Sequence, residues 1–200
     1  MILNILKPIE WSSFDVVKKV KNVLDVKKAG HAGTLDPLAE GVLVVLTDKD
    51  TKKQQDIMRS KKEYLAHIAL GGTTPSYDLE TEISKTDKKL SLENILAELD
   101  DVLKKYTGKI TQTVPPYSAV KVKGKRLYKK ARKGTVDLKN LPSREVEIYE
   151  LENLGLYEQD GYVILKLSVL CSSGTYIRSL AHDIGQDLGT GGFLYYLLRT

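Results

Sequence analysis

The sequence predicts an α+β fold with a mixed, largely antiparallel central sheet flanked by helices, and three observations carry that prediction. β-rich and amphipathic runs are interspersed without the regular alternation of a parallel βαβ protein. Asp160-Gly161 separates two β-rich runs, 145–156 and 162–170, which is a strong hairpin signal. The clearest helix begins at Ser91, where Leu92, Ile95, Leu96, Leu99, Val102, Leu103 and Tyr106 recur at helical spacing before Gly108 stops it.

The remaining elements follow in order. Residues 2–6 read as a short strand ended by Lys7-Pro8. Ser12 or Ser13 then caps a helix carrying Phe14, Val16, Val17, Val20, Val23 and Leu24 on one broad apolar face. Residues 42–46 form a buried strand. A second strand, 62–70, sets Tyr64, Ala66, Ile68 and Leu70 on one side and Leu65, His67 and Ala69 on the other, with a short helix between the two strands. The last amphipathic helix runs from about Tyr176 to Leu188, with Ile177, Leu180, Ala181, Ile184 and Leu188 inward and Gly189 beyond.

Two hundred residues, 42% of them hydrophobic, can build a real core, and no repeat or low-complexity linker divides them, so one domain over 1–200 is expected. The segment of about 111–142 is an excursion between two strands, because it gathers prolines, glycines and a basic block. Cys171 is the lone cysteine, which excludes an internal disulfide and a multi-cysteine zinc site and fits a reducing, cytoplasmic setting. His31, His67 and His182 lack ligand spacing, so no metal is expected. No apolar run reaches membrane-spanning length, and the first residues lack a secretory pattern.

The net charge of +5 is modest, but its distribution is not even. Between Lys121 and Lys133 stand eight Lys or Arg and no acid, set among Tyr117, Gly124 and Tyr128. Cations, aromatics and a flexible joint in one stretch suit phosphate contacts and base stacking, which makes RNA the favoured partner over a merely solvated face.

The densest chemical signal is Gly30-His31-Ala32-Gly33-Thr34-Leu35-Asp36-Pro37-Leu38-Ala39-Glu40-Gly41 running into the apolar segment 42–46. Irregular backbone feeding a buried strand is a common place for reactive polar groups, and Pro37 stiffens the loop around the Asp36 carboxylate. This string resembles the signature of the TruB-type tRNA pseudouridine synthases. So do Ile5-Leu6-Lys7-Pro8, Lys62-Glu63-Tyr64, the stretch Pro115-Pro116-Tyr117-Ser118-Ala119-Val120-Lys121-Val122-Lys123-Gly124-Lys125-Arg126-Leu127-Tyr128, and Ser173-Gly174-Thr175-Tyr176-Ile177-Arg178 at the head of the last helix.

The resemblance covers nearly the whole chain and implies the pseudouridine synthase fold with an RNA-gripping insertion. It implies isomerisation of uridine to pseudouridine at tRNA position 55, in the T loop, by a monomer that uses no cofactor and no guide RNA. Asp36 is then the catalytic aspartate, attacking the sugar or taking a proton from it, and Arg178 its partner, keeping the carboxylate ionised and oriented. Tyr64 stacks on the base with its phenol placed to accept a proton. His31 helps to hold the flipped nucleotide, and Tyr176 and Leu197 line the uracil pocket. Lys123, Lys125, Arg126, Lys129, Lys130 and Arg132 are the implied phosphate contacts.

Three departures stand out. Thr81 occupies a position where relatives usually have glycine, 192–193 and 197–199 differ from the usual turn and Leu-Arg-Arg, and the PUA domain into which most relatives continue is expected to be absent. Two other readings remain at this point. One is the guide-dependent catalytic subunit of a box H/ACA ribonucleoprotein, against which the segment 37–41 and the compact basic excursion speak. The other is a non-catalytic RNA-binding protein on the same scaffold, against which intact Asp36, Tyr64 and Arg178 speak.

Overall fold

The computed structural model describes residues 1–86, 92–122 and 124–200; Ser91 and Lys123 therefore lie outside the described residues. The chain opens with β1 (Ile2–Lys7), α1 (Ser13–Val23), β2 (Ala29–His31), β3 (Ala39–Thr47), α2 (Gln54–Met58) and β4 (Lys62–Leu70). Two short strands, β5 (Gly72–Thr73) and β6 (Ser84–Lys85), precede α3 (Leu92–Lys105) and β7 (Gly108–Thr113). The basic excursion holds β8 (Lys121–Val122), β9 (Lys125–Arg126) and α4 (Leu127–Ala131). The chain closes with β10 (Ser143–Gln159), β11 (Tyr162–Cys171), α5 (Ile177–Asp187) and β12 (Gly192–Arg199).

The central sheet runs β1-β3-β12-β4-β11-β10-β7, with β2 added beside β3. Its pairs are antiparallel except β12 with β3, so the fold is α+β with a mixed, largely antiparallel sheet, as predicted. On one face α3 and α5 pack Ile95, Leu99, Val102, Leu180, Ala181 and Ile184 onto Ala66, Ile68, Leu165 and Leu167. The alternation of β4 produces this directly, because Tyr64, Ala66, Ile68 and Leu70 all turn toward that core. Ala69, Tyr162, Ile164 and Phe193 form a smaller cluster of their own. Among the described residues no helix is long and apolar enough to cross a membrane.

Asp160 and Gly161 both take positive φ, 52° and 76°, and close the β10–β11 hairpin. β10 extends past the predicted run at both ends, because Ser143 and Arg144 pair with Thr113 and Gln112 of β7 while Tyr157, Glu158 and Gln159 pair with Ile164, Val163 and Tyr162 of β11; register shifts near Ile148 and Asn153 bend it on the way. The helix α1 is capped by Ser12, whose hydroxyl and Asp15 form a reciprocal capping box. Its apolar face is narrower than predicted: Val16 and Val17 pack on Leu43 and Val45, whereas Phe14 and Val23 are 70% and 67% exposed. In α3, likewise, Leu92 and Leu96 flank the buried strip and stay exposed. The excursion leaves the sheet after Thr113 rather than at Thr111, since Thr113 pairs with Ser143 and Val114 N–H donates to Pro142 O at 2.9 Å.

β12 is absent from the sequence reading, yet it lies between β3 and β4 at the middle of the sheet. Its sequence, GFLYYLLR, shows no clean alternation because the strand has neighbours on both faces and a register shift between Leu194 and Tyr196. The helix α5 lies directly on it. A Cβ at Gly185 would sit 2.3 Å from Gly192 N, so only glycine permits this approach.

Gly41 is the other such position. It has φ of +113°, pairs with Arg199 in the parallel ladder, and a Cβ there would come within 2.1 Å of Arg199 O. Gly41→Ala should therefore separate β3 from β12 and lower unfolding free energy by about 2 kcal/mol or more, from overpacking and a disfavoured φ together. Urea denaturation monitored by circular dichroism measures this, and a loss under about 0.5 kcal/mol would contradict the contact.

Candidate active site

The loop that carries Asp36 is held from three sides before any side chain of the site is considered. Lys7, at the end of β1, is fully buried and donates from Nζ to Pro8 O, Trp11 O and Pro37 O at 2.8, 2.6 and 3.2 Å. Ser13 Oγ accepts from Leu35 N at 2.8 Å and donates to Leu35 O at 2.9 Å. Arg199 reaches from β12 to donate Nη2 to Gly33 O at 3.1 Å and Nε to Val42 O at 2.8 Å. Ala39 N–H closes the turn on Asp36 O at 3.0 Å, so the acid stands at the mouth of β3.

The helix α5 brings Arg178 to this acid. Arg178 is 4% exposed, and its Nε lies 2.9 Å from Asp36 Oδ2, close enough for an ion pair although the N–H is not well aimed for a hydrogen bond. Its Nη1 donates to Ser76 O at 3.1 Å and its Nη2 to Tyr117 O at 3.2 Å. Asp78 Oδ2 stands 3.6 Å from Nη1 and is itself buried. Burial raises the Asp78 pKa, with Arg178 and the Ser76 and Glu80 hydrogen bonds pulling it down and Asp36 adding to the rise.

Asp36 and Arg178 face a cavity of about 610 Å³, whose lining also includes Tyr64, Tyr176 and Leu197. Tyr64 is 8% exposed. Burial pushes the Tyr64 phenol up, and the Arg199 guanidinium, its cross-strand neighbour, pulls the other way. Tyr176 caps α5 and is fixed through its backbone, since buried Gln112 accepts from Tyr176 N at 2.7 Å and donates to Tyr176 O at 2.9 Å. Leu197 contributes apolar wall from β12.

His31 lies apart from the cavity lining. It sits in β2 opposite Val45, and burial followed by the charge of Arg199 lowers its pKa. In the excursion, Lys125, Arg126 and Lys129 are exposed and Lys130 is half-buried. Arg132 is partly committed, because it pairs with Glu80 at 2.8 Å and sits 5.6 Å from the Tyr128 ring centroid. That pair joins α4 to the 76–81 turn, where the Thr81 hydroxyl accepts from Ser76 N at 3.0 Å and holds the turn by its side chain. The excursion docks on the site where Arg178 holds the Tyr117 carbonyl, and within it Tyr128 N–H donates to the neighbouring Ser118 O at 2.9 Å.

Sequence reasoning did not single out Lys7, Asp78 or Arg199 as parts of the site. The available signal was a charged side chain at an inward strand position, Lys7 in ILNILK and Arg199 in GFLYYLLR. Asp78 gave none, since an acid in a polar turn is ordinary.

The sequence pattern described as the N-terminal domain of the TruB family of pseudouridylate synthases matches residues 21–177. A tRNA pseudouridine synthase B of Parabacteroides distasonis is 48% identical over 207 residues, spanning all of this chain and 84% of that protein. One from Clostridium acetobutylicum is 44% identical over 99% of this chain and 65% of its own length. Among solved structures, a Cbf5-Nop10-Gar1 complex matches with a TM-score of 0.70 and 32% identity, and an H/ACA RNP bound to a substrate RNA containing 2′-deoxyuridine with 0.68 and 29%. Both matches cover all of this chain but less than half of the solved one, 47% and 46%. The fold is that of the pseudouridine synthases. The chain belongs to the TruB family.

Lys7→Met should leave the carbonyls of Pro8, Trp11 and Pro37 without their buried donor and cost about 2–4 kcal/mol of stability. Urea denaturation gives the stability, and protease cleavage within 33–38 reports the loop. Unchanged stability and cleavage would show that the loop does not depend on the ammonium.

Proposed function

We propose that this protein isomerises uridine to pseudouridine at position 55 in the T loop of tRNA, acting without a guide RNA. The observation that carries the reading is the Asp36–Arg178 ion pair on the wall of a cavity that also presents Tyr64 and Leu197. The reaction breaks the N1–C1′ bond, turns the uracil, joins C5 to C1′, and moves one proton from C5 while N1 regains one. It needs a carboxylate at the sugar, a surface for the base and a proton acceptor.

In this reading Asp36 acts at C1′ and stabilises the positive charge that develops on the sugar, as nucleophile or as base. Arg178 orients it from a fixed position, because its other donors are already held by Ser76 and Tyr117. Tyr64 offers its ring to the uracil and its phenol to the departing proton. Its raised pKa keeps the phenol neutral at rest, and Arg199 is the group that favours the ionised form. Tyr176 and Leu197 bound the base, and His31 acts on the flipped nucleotide from outside the cavity. The target is stacked in a folded loop, so it must be extruded, and the basic excursion grips the surrounding RNA. The relatives named tRNA pseudouridine synthase B support a tRNA substrate. The reading also takes the protein to act in the cytoplasm as a monomer.

The test is release of tritium from a tRNA transcript labelled at uridine C5, incubated with the purified protein alone. Release without added guide RNA supports the reading. Tight binding without release, with or without guide RNA, would support an RNA-binding role on the same scaffold.

Asp36→Asn should abolish turnover while tRNA affinity stays within a few-fold, because only the ionisable group is lost. Turnover within tenfold of wild type would remove Asp36 from the chemistry. Tyr64→Phe keeps the ring and should bind normally, whereas the single-turnover rate should fall about 100-fold or more if the phenol takes the proton. An unchanged rate would leave Tyr64 as a stacking surface only.

The excursion makes a separate demand on salt dependence. Replacing Lys125, Arg126, Lys129 and Lys130 together by glutamine should flatten the slope of log affinity against log salt by roughly three units, at −0.7 to −0.9 per lost phosphate contact. The rate at saturating tRNA should change far less, since these side chains position RNA. A filter-binding series across salt concentrations would expose an unaltered slope, in which case the RNA docks elsewhere.

A further inference from the structure

The residues that line the cavity include one carboxylate, Asp36, and five cations, Arg59, Lys62, Arg144, Arg178 and Arg199. A uracil and its ribose are both uncharged, so neither accounts for that imbalance. Three of the cations are committed to the protein. Arg178 is held by Asp36, Ser76 and Tyr117, and Arg199 by Val42 and Gly33. Lys62 donates to Ile57 O, Met58 O and Ser60 O, the last at 2.7 Å.

Arg59 and Arg144 are different. Arg59 is exposed at the C-terminal end of α2, and no carboxylate pairs with it among the described residues. Arg144, near the start of β10, lies with its guanidinium carbon 4.9 Å from the Tyr176 ring centroid. It donates one hydrogen bond, from Nη1 to Gly174 O at 3.2 Å, and makes no ion pair among the described residues. The stack on Tyr176 restricts the guanidinium before any ligand arrives, while most of its donors stay open.

We propose that Arg59 and Arg144 hold the two backbone phosphates that flank the target nucleotide. The inference rests on the reading above and goes further by naming which groups fix the nucleotide at the mouth. Once C1′ lies against Asp36 and the base fills the cavity, the 5′ and 3′ phosphates must sit at the rim, and they are the only anions the nucleotide has. An arginine fork matches a phosphate in shape as well as charge. Such contacts form fully only when the nucleotide has left its stack, so they favour the extruded state over the stacked one. These are positioning residues, distinct from the excursion cations that meet the RNA farther away.

A charge-neutralising cycle tests this. A T-arm stem-loop RNA is made with a methylphosphonate, which carries no charge, at the 5′ or the 3′ linkage of the target uridine, or at a stem linkage as control. Kd and single-turnover rate are measured for wild type, Arg59→Gln, Arg144→Gln and Arg144→Lys. In wild type each flanking methylphosphonate should weaken binding or slow turnover about tenfold, and in the variant lacking its arginine that penalty should shrink to about twofold or less. Arg144→Lys should keep part of the penalty, because charge remains while the fork is lost. The stem control should cost the same in every protein. Equal penalties at the flanking linkages in wild type and both glutamine variants would overturn the proposal. Turnover of unmodified RNA by wild type reads the underlying function separately, and coupling in Kd is measurable whether or not the protein turns over.

Discussion

Buried positive charge held by backbone carbonyls is the constraint on which the site depends. Arg178 enters the interior on the first turn of α5 and meets the Asp36 loop, the Ser76–Asp78 turn and the root of the excursion at Tyr117. A guanidinium can satisfy several acceptors in one plane, which lets one side chain fix three segments that are far apart in sequence. Its removal would leave Asp78 buried with no cation and two carbonyls with no donor. The geometry proposed for catalysis and local stability are therefore properties of the same contact.

The same device appears twice more. Lys7 ties Pro37 to the turn after β1, and Arg199 ties Gly33 and Val42 to β12. Neither contacts a carboxylate at ion-pair distance among the described residues. Each fixes backbone, and together they surround a loop whose glycines and proline give it shape but little cohesion of its own. Arg199 also faces Tyr64, so one strand end both fixes the loop and sets the environment of the phenol.

Much of the scaffold was legible because local signals agreed with burial. The β4 alternation, the α3 periodicity and the Asp160-Gly161 turn each state a geometry that the sheet then uses. The narrower apolar faces of α1 and α3 show where periodicity overreaches, since Phe14, Val23 and Leu96 share a helical face with buried residues but have nothing above them. β12 shows the opposite failure. Residues covered on both sides need no polar alternation, and its pairing partners β3 and β4 lie about a hundred residues or more away.

The sequence by itself determined the fold class, the family resemblance and the identity of Asp36, Tyr64, Arg178 and Tyr176 as candidates, because each sits in a motif whose order survives in one dimension; Leu197 was a candidate by its position alone, in a segment that departs from the usual pattern. Only the tertiary structure decided that these five share one cavity while His31 stands outside it, that Arg132 is paired with Glu80, and that Arg199 and Asp78 belong to the network. The physical reason is that a charge reads as surface in a sequence until its acceptors are known. For Lys7, Arg178 and Arg199 those acceptors include main-chain carbonyls, which every residue carries and no sequence pattern distinguishes.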